Sequence, residues 1–231
     1  MSLSSPPRSA TNGVPLCQLD GEPQPGAVLL LHGRGASAES ILPLATELGR
    51  ADLPALAPQA PAGAWYPHSF LAPLAANEPH LSQSLARVGS TVQHLLDSGI
   101  PQTGIALVGF SQGACLALEL AARTGGRWGA VIALSGGLIG TSELANAEPT
   151  LQGMGGPFAD KAFDYASSLD STPVFIGGSD VDPHIPLARM ERSAEVLRQL
   201  DAKVDLRVYP GLGHTVNADE LAAGRALLEA L

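Results

Sequence analysis

The sequence is short of the features that mark several large protein classes. It has two cysteines in 231 residues, Cys17 and Cys115, too few for the disulfide framework of a small secreted domain. Basic residues are the scarcer sign, 13 Lys and Arg against 22 Asp and Glu, for a net charge of −9. A phosphate-binding face needs a clustered surplus of Lys and Arg, so no nucleic-acid partner is expected. No uninterrupted apolar run reaches the roughly 18 residues that a membrane span requires. Residues 1–15 have no basic stretch leading into an apolar core, so no signal peptide is expected there. The expectation is a soluble, cytoplasmic protein with reduced thiols. Aromatics are also rare, at 4%, so the core must be built from Ala, Leu and Val.

Apolar residues still make up 45% of the chain, and 26 Gly and 19 Pro imply many turns. Short apolar runs alternate with helical spacing, the pattern of an α/β domain whose strands are buried on both faces. Runs at 27–31, 104–110, 129–134 and 173–176 read as strands, with a weaker one at 53–57 between Pro54 and Pro58. Val204, Leu206 and Val208 alternate as another. Helices are expected over 37–50, 81–95, 112–123 and 187–197. A last one begins near Asn217, where Glu220 completes a capping box. Right-handed crossovers between such units give a mainly parallel sheet. Residues 1–25 read as an N-terminal tail or edge hairpin, and 26–231 as one domain. The segment 137–172, with Gly153, Gly155, Gly156 and Pro157, reads as a flap or surface insertion.

Gly109-Phe110-Ser111-Gln112-Gly113 is a complete G-x-S-x-G. It follows an apolar strand directly and opens a helix directly. A Ser on so sharp a turn projects its hydroxyl clear of the sheet, and the Gln112 amide, at a helix N-terminus, points to the same place. A serine hydroxyl needs a base, and the base needs an orienting partner. In α/β-hydrolases these follow in the order Ser, acid, His. His214, in a glycine-flanked loop after the 204–208 strand, is the expected base. Asp182 is the expected acid, because Pro183 holds it out of the helical region. Asp180 is the alternative, otherwise a loop-shaping residue that binds local amides. His32-Gly33-Arg34-Gly35 supplies the second oxyanion donor through the Arg34 amide.

Leu31-His-Gly-Arg-Gly35, Gly109-Phe-Ser-Gln-Gly113, Asp182-Pro-His-Ile-Pro186 and Gly213-His214 together resemble the phospholipase/carboxylesterase family of α/β-hydrolases, which includes acyl-protein thioesterases. The resemblance implies a triad of Ser111, Asp182 and His214, with the Arg34 and Gln112 amides as oxyanion hole. It also implies a parallel sheet flanked by helices with little or no cap, no cofactor, and hydrolysis of short or medium acyl esters. The Arg of the H-G-R-G loop and Trp65-Tyr-Pro-His-Ser-Phe-Leu71 look closest to a branch described as esterase-like or dienelactone-hydrolase-like. Dienelactone hydrolases proper use a cysteine nucleophile, whereas the elbow here carries Ser111.

The expected partner is a small ester or thioester, cleaved through an acyl-enzyme, and a homodimer is left open. Two other readings keep the same residues: cleavage of lactones or aromatic ring-fission products, and a ligand receptor on a hydrolase fold. Activity should fall on an acid limb near pH 6–7, where a free imidazole titrates. Trp65, Tyr66, Phe70 and Leu71 either line an acyl pocket or plug the core. The Arg34 side chain either attracts an anionic substrate group or is solvated or paired. His68, His80 and His94 lack metal-ligand spacing and read as surface residues. Asp160 and Asp164 beside Lys161 read as a solvated face, and Cys115 as packing. No metal site is expected.

Overall fold

A computed structural model describes residues 26–142 and 160–231. The expected tail at 1–25, Cys17 and the glycine cluster at 153–156 lie outside these residues. The elements in chain order are β1 (Ala27–Leu31), α1 (Ala38–Ile41), α2 (Pro43–Glu47), β2 (Ala55–Leu56), α3 (Leu74–Asn77), α4 (His80–Asp97), β3 (Ile105–Phe110), α5 (Gln112–Thr124), β4 (Ala130–Leu134), β5 (Pro173–Ser179), α6 (Leu187–Gln199), β6 (Lys203–Tyr209) and α7 (Ala218–Leu228).

The six strands form one sheet in the order β2-β1-β3-β4-β5-β6, every pair parallel. β1, β3 and β4 are apolar along their length because helices cover both faces. Leu29, Leu31, Leu107, Val131 and Ile176 pack with α4, α5 and α6 on one face. Val28, Leu30, Val108, Ile132 and Phe175 pack with α1, α2 and α7 on the other. The strands β2 and β6 are the edges. β6 alternates as expected and carries charge outward through Lys203 and Asp205.

Two local expectations are corrected. The helix expected over 37–50 is two short helices, because Pro43 has no N–H to continue the first and instead starts the second. The strand expected at 53–57 shortens to two residues, bounded by Pro54 and Pro58. Elsewhere the capping box at Asn217 is present: its side chain accepts from the amides of Asp219 and Glu220, and Glu220 accepts from the Asn217 amide.

The order in which strands are added reverses between β1 and β3, since β2 lies to one side and β4 to the other. In open α/β sheets the space beyond the carboxyl ends of strands at such a switch point is where ligands bind. Leu31 pairs with Gly109 there, so the His32–Gly35 loop and the Ser111 turn emerge side by side.

Candidate active site

The turn at Ser111 is forced by close packing of backbone on backbone. A Cβ on Gly113 would lie 2.0 Å from the Leu31 carbonyl oxygen, and one on Gly109 would lie 2.4 Å from the Gly113 carbonyl. Only glycine lets α5 start so near β1. Between them Ser111 takes φ 56° and ψ −120°, a conformation that costs a non-glycine residue on the order of 1–3 kcal/mol. The strain is held by two hydrogen bonds: the Ser111 amide donates to Leu134 O at 2.9 Å, and its carbonyl accepts from the Cys115 amide at 3.0 Å.

Ser111 Oγ lies 2.9 Å from His214 Nε2, and His214 Nδ1 lies 2.7 Å from Asp182 Oδ2. Asp182 is 7% exposed. Its other oxygen accepts from the amides of His184 (2.8 Å) and Ile185 (3.1 Å). Burial pushes this carboxyl upward, but the bonds from His214 and the two amides outweigh it and leave the group below the ordinary aspartate value. The aspartate is therefore an anion that orients Nδ1–H toward itself and leaves Nε2 facing the hydroxyl. Asp180 takes a different place: its Oδ1 accepts from the Gly211 amide at 2.8 Å, while Ser179 Oγ accepts from the Gly213 amide at 3.0 Å. The end of β5 thus carries the acid and also suspends the loop that carries the histidine.

The Arg34 and Gln112 amides donate to no other group among the described residues. Gln112 opens α5, where a helix leaves its first N–H groups unsatisfied. A cavity of about 360 Å³ opens over Ser111. Tyr66 and Phe70 line it; Trp65 and Leu71 are buried but do not. Trp65 instead donates from Nε1 to His32 O at 2.8 Å and packs its ring 5.1 Å from that of His32.

Several contributors have no counterpart in the sequence reading. The Gln112 side chain accepts from the Trp65 amide (2.9 Å) and donates to Tyr66 O (2.8 Å), so the helix that presents the amide also clamps the aromatic loop. Buried His32 donates from Nδ1 to Gly33 O and accepts the Ala60 amide at Nε2. Burial lowers its pKa, so it stays neutral and holds the glycine loop in shape. Asn77 accepts from the His68 amide and donates to Ser69 O, fixing the next part of the same wall. His184 lines the cavity with its ring edge-on to His214, 4.8 Å between centroids. A Gln at the first helical position and a His two residues after Asp182 were the available signals.

Cys115, at the cavity wall, accepts the Gly137 amide, and burial pushes its thiol up to about 12, so it is an unreactive packing group. His68, His80 and His94 are exposed. Lys161 departs from the expected solvated face, whereas Asp160 is exposed but paired. Lys161 Nζ lies 2.8 Å from the fully buried Glu119, and Asp160 pairs with Arg192 at 2.7 Å and Arg189 at 3.6 Å. Asp160 and Asp164 are exposed, and Lys161 is not. Among the described residues no cluster of His, Cys, Asp and Glu has the makings of a metal site. No helix among them is long and apolar enough to cross a membrane.

A profile of the phospholipase/carboxylesterase family matches residues 13–154, a span that includes Ser111 and ends before Asp182 and His214. An acyl-protein thioesterase 1 from Gibberella zeae is 30% identical over 138 residues, 59% of this chain and 52% of the relative. One from Neurospora crassa is 28% identical over 147 residues, 64% and 54% of the respective chains. The chain spans about half the length of the curated relatives it matches first. Among solved structures, a phospholipase/carboxylesterase from Dyadobacter fermentans is 38% identical with a TM-score of 0.77, covering 89% of this chain and 90% of that one. Esterase PE8 is 25% identical with a TM-score of 0.70, covering 90% and 93%.

Proposed function

Because this chain belongs to the phospholipase/carboxylesterase family and has the α/β-hydrolase fold, we propose that it hydrolyses carboxylic esters or thioesters with Ser111 as nucleophile, His214 as base and Asp182 as its orienting partner. The observation that carries the reading is the continuous relay from Asp182 Oδ2 through His214 to Ser111 Oγ, 2.7 and 2.9 Å. It opens on the cavity beside two undonated amides.

In this reading Ser111 Oγ attacks the acyl carbonyl as its proton passes to His214 Nε2. The carbonyl oxygen, now negative, is held by the Arg34 and Gln112 amides, a role supported by their place at the cavity and their lack of another acceptor among the described residues. Asp182 stabilises the imidazolium without taking its proton. When the tetrahedral intermediate collapses, the bond to the leaving oxygen or sulfur breaks and His214 gives that atom its proton. Water then enters, loses a proton to His214 and attacks the acyl-Ser111 ester, which releases the carboxylic acid and restores the hydroxyl. Nucleophile, base, orienting carboxylate and oxyanion donors all come from residues of 26–231, which we take to act as one catalytic unit.

The test joins turnover with covalent labelling. Wild type should hydrolyse 4-nitrophenyl acetate or butyrate over many turnovers, and a fluorophosphonate should attach to Ser111. Ser111→Ala should lose both. Labelling with a single turnover would favour a ligand receptor, and faster turnover of lactones than of open-chain esters would move the substrate class.

A further inference from the structure

The protein carries a net charge of −9, yet among the described residues no Asp or Glu lines the cavity. Asp182 sits behind His214 and does not reach the cavity wall. Among the residues that line it are Arg34 and, beside His214, His184, both of them exposed. Where other cations meet the interior, carboxylates meet them: Arg123 and Lys161 converge on Glu119, and Arg189 faces Asp160. Arg34 differs. Its guanidinium donates to the carbonyls of Pro67 (2.9 Å) and His68 (2.7 Å), which aim it without neutralising it, and it has no carboxylate partner among the described residues.

Five N–H groups are available on a guanidinium, so the fork keeps donors free after those two bonds. His184 adds to them. Its backbone amide is taken by Asp182, while its ring has the edge contact with His214 and no hydrogen bond among the described residues. A neutral ester gives a fixed, unpaired cation nothing to do. An organic anion does, and a planar carboxylate matches the guanidinium fork. The acidic surface does not prevent this, since charges farther off than a Debye length of about 8–10 Å are largely screened.

We infer that the substrate carries a carboxylate besides its scissile ester or thioester, and that Arg34, assisted by His184, binds that carboxylate at the cavity. This deepens the hydrolase reading and rests on it.

Matched pairs that differ only in the carboxylate test the inference. Mono-4-nitrophenyl adipate against its methyl-capped diester places the charge on the acyl side. 4-Acetoxybenzoate against its methyl ester places it on the leaving side. Each enzymatic rate is divided by the ester's alkaline hydrolysis rate to remove intrinsic reactivity. In at least one pair the carboxylate ester should lead by about tenfold or more in kcat/KM at low salt, and the lead should shrink several-fold in about 0.5 M NaCl. Arg34→Gln should collapse this ratio and Arg34→Lys should restore part of it. The ratio is internal to each variant, so a general loss of activity does not disturb it, and the wild-type ratio needs no variant at all. Equal or better turnover of the capped ester in both pairs overturns the inference and leaves the hydrolase reading standing. A preference that survives Arg34→Gln overturns the assignment to Arg34. No turnover of any ester, with no fluorophosphonate on Ser111, overturns the hydrolase reading itself.

Discussion

Two buried carboxylates, Asp182 and Glu119, have similar surroundings and opposite consequences. Glu119 is fully buried in α5 and accepts from Arg123, Lys161, the Tyr165 hydroxyl and the Ile139 amide, at 2.8 to 3.0 Å. Asp182 accepts from two amides and an imidazole. Both are satisfied, as buried charges must be. The Glu119 knot closes on itself: every donor it uses is consumed there, and it ties 139 and 161–165 to the helix behind the nucleophile. The Asp182 relay stays open, because its last atom, Ser111 Oγ, ends at the cavity. A closed network adds stability; an open one leaves a reactive group at its end.

That contrast predicts separable losses. The largest is expected at the open end: His214→Ala should lower kcat/KM by about 10⁴-fold while the melting temperature changes little. Equal loss of fold would show that the relay is also a structural support. Next is Glu119→Ala, which strands a buried Lys161 that burial already holds below the ordinary lysine value. A loss of about 3–5 kcal/mol in urea unfolding is expected, with the folded fraction keeping its kcat. A kcat that falls with stability intact would make the knot part of the chemistry. Trp65→Phe removes only the Nε1 bond to His32 and some packing, so about 1–2 kcal/mol of stability is expected.

The smallest effect is a pH dependence with a definite sign. The Asp182 carboxyl is held below its ordinary value in the folded protein. Its contribution to stability is therefore present above the unfolded value, near 3.9, and is lost as pH falls through the lowered folded value. Glu220 runs the other way. Burial raises its pKa against the bond from the Asn217 amide, so its contribution is full below the ordinary glutamate value and fades as pH rises through the raised one. Unfolding of Asp182→Asn should thus be flatter in acid than wild type, and Glu220→Gln flatter at milder pH. A wild-type acid slope in Asp182→Asn would assign the acid sensitivity elsewhere.

What the sequence made legible was local or periodic. The continuous apolar runs of β1, β3 and β4, the 4-3-4-3 steps of α4 and the capping box of α7 each carry their own signal. The elbow did so too, because Gly109 and Gly113 are required by contacts within a few residues and with the adjacent strand. Partners distant in the chain were not legible. Glu119 lies in an Ala- and Leu-rich helix, and nothing local ties it to Lys161, 42 positions on. The Gln112 side chain has the same problem, since its partners at 65 and 66 lie in a segment without period. Pro43 was a local signal of the other kind, a missing N–H outweighed by helical spacing on both sides.

Ser111 stands at the middle of the sheet, but His214 hangs from the end of an edge strand, β6, and from the two amide bonds that Ser179 and Asp180 accept. Edges open before centres. Catalysis should therefore fail at a lower temperature than the one at which the core melts, as the base swings away from a nucleophile still in place. The protein would then act as a thermometer for one border of its own sheet, with loss of turnover reporting a local opening that spectroscopy of the whole molecule would miss.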